Sequence, residues 1–422
     1  MELKKYKLEE IANIVNGATP STSCEENYDG DIVWITPKDL SDQRSKYIDR
    51  GNRNITQKGC DSCSVQMIPA YNILMSSRAP IGLLAINTIE CCTNQGFKNI
   101  IVDKSICDID YLYYYLKYHI KEIEAIGSGT TFKEVSKTSL QQFEIALPAL
   151  EVQKHIASIL SNIDCKIELN RAINQNLEAM VKQLYDYWFV QFDFPDENGR
   201  PYKSNGGEMV WNKKLKREIP KGWNVLKLGE RCSFNKRTSS GYFNHSILYL
   251  DTSNITNNTI DELQFLNPSS DIIPSRARRL VQEGDIVYST VRPNLKHFGI
   301  IMNPDYNMVV STGFAVITAN WSAYRYFIYQ FLIQAATIEN LSTIAQSAVS
   351  AYPSINTSDI ENLDLVVPPD SMIEEYAKIS CRLYLQIDTN YKEIKSLTKQ
   401  RDELLPLLMN GQVSVNSDLS DD

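Results

Sequence analysis

The sequence predicts an α/β (α+β) fold built twice along one chain. Two similar globular domains each feed one long helix, and the helices pair antiparallel as a coiled coil about an internal pseudo-two-fold repeat. The first observation behind this is a shift of 220 residues. Ile156/Tyr376, Ile163/Leu383, Asn170/Asn390, Leu177/Leu397 and Leu184/Leu404 are all separated by it (376 − 156 = 220), and Leu147-Pro148 recurs as Val367-Pro368. A period this long is a tandem duplication, since solenoid repeats run about 20–50 residues. The second is a weaker echo between the globular parts. Ile73-Leu74-Met75-Ser76-Ser77-Arg78-Ala79-Pro80 lines up with Ile286-Val287-Tyr288-Ser289-Thr290-Val291-Arg292-Pro293, and Asn94-Gln95-Gly96-Phe97 with Ser311-Thr312-Gly313-Phe314. The third is a heptad pattern in each long helix.

In chain order, residues 1–148 form the first globular domain, with short β-like runs at 32–35, 73–75 and 83–86 punctuated by Gly and Pro. Residues 149–190 are the central helix, entered at Pro148, and 191–222, with Pro195, Pro201 and Gly206-Gly207, are a linker. Residues 223–367 are the second globular domain, and aromatic-rich stretches at 111–118 and 324–332 read as matching helices. Pro368-Pro369 opens the distal helix over 368–413, and 414–422 are a disordered acidic tail.

Both helices are apolar near their ends and polar in the middle. The a positions are Ile156, Ile163, Asn170, Leu177 and Leu184, then Tyr376, Leu383, Asn390, Leu397 and Leu404. The d positions are Val152, Ile159, Lys166, Ile173 and Met180, then Ile379, Gln386, Glu393, Gln400 and Leu407. Apolar residues at e, among them Leu160, Ile167, Val181, Ile387, Ile394 and Leu408, widen the stripe beyond a two-stranded seam. Parallel pairing would put two domains, each about 15 Å in radius of gyration, on axes about 8–10 Å apart. They would collide, so the pair is antiparallel, with Lys166 and Asn170 near Gln386, Asn390 and Glu393. The duplication suggests a pseudo-symmetric partner, with duplex DNA read at two half-sites a leading candidate, and a helix of this length spans about 55 Å, enough to hold two domains one DNA turn, about 34 Å, apart.

Composition bounds the function. The chain has 422 residues, 43% hydrophobic and 22% charged, with no run apolar enough to span a membrane and no signal-like N-terminus, so it reads as cytoplasmic with no membrane partner. Nine cysteines fit free thiols in a reducing compartment; Cys60-x-x-Cys63 with Cys91-Cys92 matches no common zinc module. The net charge of −8 resides partly in Glu9-Glu10, Glu374-Glu375 and the tail, leaving room for basic faces. No phosphate loop, Gly-rich dinucleotide loop or Asn-Pro-Pro-aromatic motif is present, and the four histidines have no ligand spacing.

Three motifs in order resemble the specificity (S) subunit of type I restriction-modification systems. They are Leu184-Tyr185-Asp186-Tyr187-Trp188-Phe189-Val190-Gln191-Phe192-Asp193-Phe194-Pro195, Ile219-Pro220-Lys221-Gly222-Trp223, and Leu404-Leu405-Pro406-Leu407-Leu408-Met409-Asn410-Gly411. The resemblance covers essentially the whole chain. It implies two target recognition domains, each reading one half of a bipartite asymmetric site in double-stranded DNA, and helices that set the spacer. It further implies docking of two methylation (M) subunits and of restriction (R) subunits, a non-catalytic role and no cofactor in this chain. The methylation partner would use S-adenosylmethionine, and the restriction partner ATP and Mg.

Arg pairs with guanine and Asn or Gln with adenine, while Lys, Ser and Thr hold phosphates. By that chemistry the DNA-contact candidates are Arg44, Lys46, Arg50, Arg53, Arg78, Thr130, Thr131 and Lys133 in the first half. In the second they are Lys236, Arg237, Thr290, Arg292 and Asn294, with Arg276, Arg278 and Arg279 adding to the basic cluster. Features shared by the halves, as in the loops carrying Arg78 and Arg292, suit scaffold or phosphate contacts. Base readers belong where the halves differ, as at 43–53 and 236–242. The coiled-coil and subunit interface is assigned to Ile156, Ile163, Asn170, Leu177, Leu184, Leu383, Asn390, Leu397 and Leu404. The competing reading is a non-enzymatic coiled-coil scaffold whose two domains bind protein or glycan, slightly favoured by the acidic balance; an enzyme is third.

Overall fold

The computed structural model describes residues 2–41, 43, 45–129, 133–347 and 353–412. The chain divides into two compact units, residues up to 171 together with those from 392 onward, and residues 172–391. The division crosses both long helices, the central helix Leu150–Tyr185 and the distal helix Asp370–Met409. Each unit therefore holds one globular domain, the first half of the helix that follows it and the returning half of the other helix.

The repeat extends to the way each domain closes. Lys4–Lys7 pairs antiparallel with Glu144–Leu147, and Asn224–Lys227 with Asp364–Val367. Lys4 faces Leu147 as Asn224 faces Val367, so both partners carry the same shift (224 − 4 = 220; 367 − 147 = 220). Glu10 accepts from the Lys7 amide at 2.6 Å, and Glu230 from the Lys227 amide at 2.7 Å. These carboxylates satisfy amides that the turn leaves unpaired.

Each domain is built on the same antiparallel sheet. In the first unit the strands run in the order Ala12–Asn16, Phe97–Val102, Ile73–Ser76, Leu84–Asn87, with Tyr47–Ile48 added parallel at the edge. In the second the order is Cys232–Phe234, Phe314–Ala319, Ile286–Ser289, Phe298–Ile300. Ile73–Ser76 and Ile286–Ser289 are buried at every position, which explains their unbroken apolar sequence: both faces are covered. The halves diverge in the second layer. Trp34–Ile35 paired with Cys92–Thr93 in the first unit becomes a four-stranded sheet in the second, ordered Gln264–Leu266, Ile247–Leu250, Met308–Ser311, Ala277–Leu280.

The helices Ile109–Tyr118 and Tyr324–Leu332 lie inside the cores. In the first unit Tyr111 to Leu116 are all buried, and the Tyr114 hydroxyl donates to Asp164 of the central helix at 2.5 Å. In the second, Tyr326 stacks on Tyr384 of the distal helix at 4.8 Å, and Gln330 donates to the Tyr384 hydroxyl at 2.8 Å.

The three sequence motifs are core-forming. In the second unit the chain after Tyr185 adds a π-helical turn, Asp186–Val190, and Trp188 and Phe189 meet Tyr376 at 6.0 and 5.0 Å. Phe194 stacks on Trp223 at 5.3 Å, and the segment assigned as a linker holds the hairpin Met209–Asn212 with Arg217–Pro220. Gly222 (φ 83) makes the turn into Trp223. In the first unit Leu405, Leu408 and Met409 join the core around Ile156 and Leu160, and Asn410 donates to the Tyr118 hydroxyl at 2.9 Å.

The helices are antiparallel within each unit. In the first, Lys166 and Asn170 meet Glu393, at 2.5 and 3.0 Å, while Asp164 meets Arg401 at 2.7 Å. In the second, Asn390 donates to Asn174 at 2.7 Å while Tyr185 contacts Tyr376 at 6.3 Å. The seam differs from the a/d assignment. The a and e positions are covered, whereas d positions Ile173, Met180, Ile379 and Leu407 are 37, 53, 42 and 37% exposed. An a/e stripe has the same alternating spacing of three and four as a/d, so heptads with apolar a, d and e fit either phase. The phase taken buries Leu160, Ile167, Val181 and Ile387, and leaves Lys166, Gln386 and Gln400 at the edge.

Glu178, on the central helix, lies in the second unit against Tyr391 (3.5 Å), which bonds Thr259 at 3.1 Å. Burial pushes its pKa up to about 7, only partly offset by hydrogen bonds from Asn258 and Tyr391. With a folded pKa above the ordinary carboxylate value, its contribution to stability is full in acid and is lost as pH rises through about 7. Glu178→Gln should therefore flatten the fall in melting temperature between the ordinary carboxylate range and about pH 7; parallel pH profiles for the two proteins would contradict this burial.

Candidate nucleic-acid interface

The structure separates the sequence-nominated cations into exposed and structural ones. Lys46 is structural: its side chain is 4% exposed, with Nζ 2.7 Å from Asp110 and donating to Ser161 at 2.7 Å. An amine so enclosed does not reach a phosphate, and the expected DNA contact at Lys46 is corrected on that ground. Arg53 forms a two-pronged pair with Asp29 at 3.2 and 3.3 Å and lies over the Tyr28 ring at 3.9 Å. Arg50 and Lys133 are exposed, while Arg44, Thr130 and Thr131 lie outside the described residues. Arg78 is half exposed and bonds Glu134 at 3.0 Å.

In the second unit Lys236 and Asn294 are exposed. Arg237 is held at 2.8 Å by Asp285, a buried carboxylate that also accepts from Thr318 at 2.7 Å. Arg279 bonds Asn235 and the Phe314 carbonyl, so it ties strands together. Thr290 donates its hydroxyl to the Gly313 carbonyl at 2.9 Å, as Ser77 does to Gly96 at 3.1 Å, which makes this shared position scaffold. Arg292 (φ 48) and Lys296 (φ 58) are left-handed residues bracketing the short turn Pro293–Leu295, a costly conformation of the kind found at binding loops. Arg292, Asn294 and Leu295 rim a hollow with Ser342, Gln346 and Pro353.

The loops of Arg78 and Arg292 correspond, but the two arginines do not. Ser77 accepts from the Val135 amide and Thr290 from the Ile355 amide, so the next residues, Arg78 and Val291, occupy one position. Arg292 falls one residue further on. The a residues assigned to the interface are inside the helix pairs: Ile156, Asn170 and Asn390 are buried, and Ile163, Leu177, Leu184, Leu383, Leu397 and Leu404 are half-buried. The apolar side chains that remain open on the helices are instead Leu169, Ile173, Met180, Ile379, Leu385 and Leu407.

The second unit also exposes aromatics, of which Tyr306 and Phe265 lie outside the segments nominated from the sequence. Tyr306 is 93% and Phe265 66% exposed, both beside the second unit's extra sheet, and Tyr242, in the divergent 236–242 segment, is 91% exposed. The cysteines are free; burial pushes Cys91 and Cys92 up to about 12, and among the described residues no group of three or more His, Cys, Asp or Glu could hold a metal. Among the described residues no helix is long and apolar enough to cross a membrane.

Two copies of one α+β scaffold, carrying different polar and aromatic loops, define a protein with two unlike recognition surfaces. The chain belongs to the family of the type I restriction modification DNA specificity domain, whose profile matches residues 1–179 and again 220–399. It is 33% identical over 421 residues to the type I restriction enzyme MjaIX specificity subunit of Methanocaldococcus jannaschii, covering 97% of this chain and 93% of that one. The HindI specificity subunit of Haemophilus influenzae is 22% identical over 350 residues, 70% of this chain and 74% of that one. Among solved structures, the S subunit of a type I restriction-modification system from M. genitalium matches with a TM-score of 0.56 at 17% identity, over 97% of this chain and 96% of that one.

Lys46→Ala should lower stability by about 2 kcal/mol, below the cost of breaking a fully buried pair because Asp110 is partly exposed. The slope of DNA affinity against salt should stay unchanged; a shallower slope at unchanged melting temperature would return Lys46 to the DNA.

Proposed function

We propose that this chain is the non-catalytic, sequence-specific DNA-recognition subunit of a type I restriction-modification complex. The observation that carries the reading is that the DNA specificity profile recurs in both halves of the chain, over a common sheet whose exposed loops differ. A shared scaffold with divergent loops suits two readers of unlike sequence, because base contacts carry the sequence information and phosphate contacts do not. Each domain reads one half of a bipartite asymmetric site in double-stranded DNA, and the complex acts in the cytoplasm.

The chemistry belongs to partners. Two methylation subunits using S-adenosylmethionine, and restriction subunits using ATP and Mg, dock on this chain, and the open apolar residues Ile173, Met180, Ile379 and Leu385 supply contact surface for them. The scaffold reading would leave the recurring DNA specificity profile without a purpose.

Purified alone, the chain should neither bind S-adenosylmethionine nor methylate DNA, and activity should appear on adding the methylation subunit; methyl transfer by the isolated chain would refute the assignment. Replacing residues 223–367 with the matching domain of a relative should change one half of the methylated motif and leave the other intact. If both halves change together, the domains are not independent readers.

The helices act as the ruler between half-sites. Deleting residues 170–176 removes one heptad, keeping the seam in phase, and about 10 Å of rise. That corresponds to as much as about three base pairs at about 3.4 Å each, with about 34° of twist per pair. Methylome sequencing of the deletion should show either lost activity or a shorter spacer with both half-sites unchanged; normal activity on the original spacing would show that the helices do not measure DNA.

A further inference from the structure

The two scaffolds coincide closely enough to ask which side chains occupy the same place in each. Backbone bridges set Arg78 opposite Glu134 in the first domain and Val291 opposite Ser354 in the second. On the adjacent strand Ser76 faces Phe97 and Ser289 faces Phe314, so Lys98 corresponds to Ala315. A charged trio in the first domain, Arg78, Lys98 and Glu134, is thus Val291, Ala315 and Ser354 in the second. All three charges are absent there.

The trio is ordered from the inside outward. Lys98, with a side chain 7% exposed, places Nζ 3.2 Å from Glu134 Oε1 and donates to Ser77 Oγ at 3.4 Å. Glu134 Oε2 accepts from Arg78 Nε at 3.0 Å, and the arginine side chain is 50% exposed. Among the described residues, the two terminal nitrogens of Arg78 have no hydrogen-bond partner. Burial alone would raise the pKa of Glu134, but hydrogen bonding and charge from Lys98, then Arg78, outweigh it and hold the carboxyl below its ordinary value. Glu134 is therefore ionised at neutral pH, and among the described residues the guanidinium is held through Nε, with its terminal nitrogens unbonded.

A contact to the DNA backbone would be expected in both domains, since phosphates are the same in every half-site. It would also gain little from a carboxylate next to the arginine. A guanidinium restrained at Nε instead suits the paired acceptors O6 and N7 of guanine, because less side-chain freedom is lost on binding. We infer that Arg78 reads a guanine in the half-site of the first domain and that Glu134 and Lys98 are its positioning residues; this rests on the DNA recognition proposed above.

The test uses the full chain assembled with its methylation and restriction subunits. The readouts are methylome sequencing and methylation rates on duplexes exchanged one base pair at a time. Arg78→Ala should lower discrimination about 5- to 150-fold at one G·C pair, leaving the other half-site as it was. Arg78→Lys keeps the charge but not the paired donors, so it should relax the same pair, and it supplies the readout should the alanine variant fold poorly. Glu134→Gln combined with Lys98→Met removes the Lys98–Glu134 ion pair as a unit and should relax the same G·C pair more weakly. An unchanged motif in the arginine variants overturns the inference. So does a uniform loss across all sequences with the salt slope reduced by about one, the mark of a phosphate contact. Absence of sequence-specific methylation by the wild-type complex would instead overturn the proposed function.

Discussion

Neither globular domain completes its core with its own half of the chain. The first unit closes around Leu405, Leu408 and Met409 from the distal helix, and the second around Val181, Tyr185, Trp188 and Phe189 at the end of the central one. Burying a side chain of this size contributes about 1.5–3 kcal/mol, so each set of returning residues matters against a marginal total stability. Antiparallel pairing is the arrangement that delivers those residues within each unit. The motifs by which the family is recognised are largely these returning segments and the aromatic turn at Trp223; most of their apolar side chains hold the fold together, while Tyr187, Val190 and Leu407 stay exposed.

Much of this was legible in the sequence because duplication compares the chain with itself. The 220-residue shift located the helices, and the repeated polar interruption at Asn170 and Asn390 marked where the pairing turns hydrophilic. Antiparallel heptads set Glu393 near Lys166 and Asn170, and the structure pairs it with both. A seam on a and d does not reach Asn174, the partner of Asn390, because Asn174 occupies an e position. Periodicity fixes the spacing of a stripe but leaves its phase open when three heptad positions are apolar. Only the surface offered by the adjacent domain settles it.

The recognition residues were harder to read, for an electrostatic reason. A cluster such as Lys46, Arg50 and Arg53 counts positive charge but not the acids that neutralise it. Asp110 meets Lys46 from 64 positions away in sequence, and Asp29 takes Arg53. Likewise Arg78 and Arg292 look alike as letters, yet one residue of offset gives one of them a buttress and the other a left-handed turn. Exposed aromatics such as Tyr306 carry no linear signal, since a tyrosine in this chain is more often buried.

The returning helix also sets a schedule for synthesis. Residues up to 171 leave the ribosome well before 405–409, which finish the first unit's core. At about 5–20 residues per second that gap lasts about ten to fifty seconds. Throughout it the strip around Ile156, Ile159 and Leu160 has no permanent cover. The nascent first domain must wait with an open apolar flank while the whole of the second is made, so its maturation is bound to translation of the final helix.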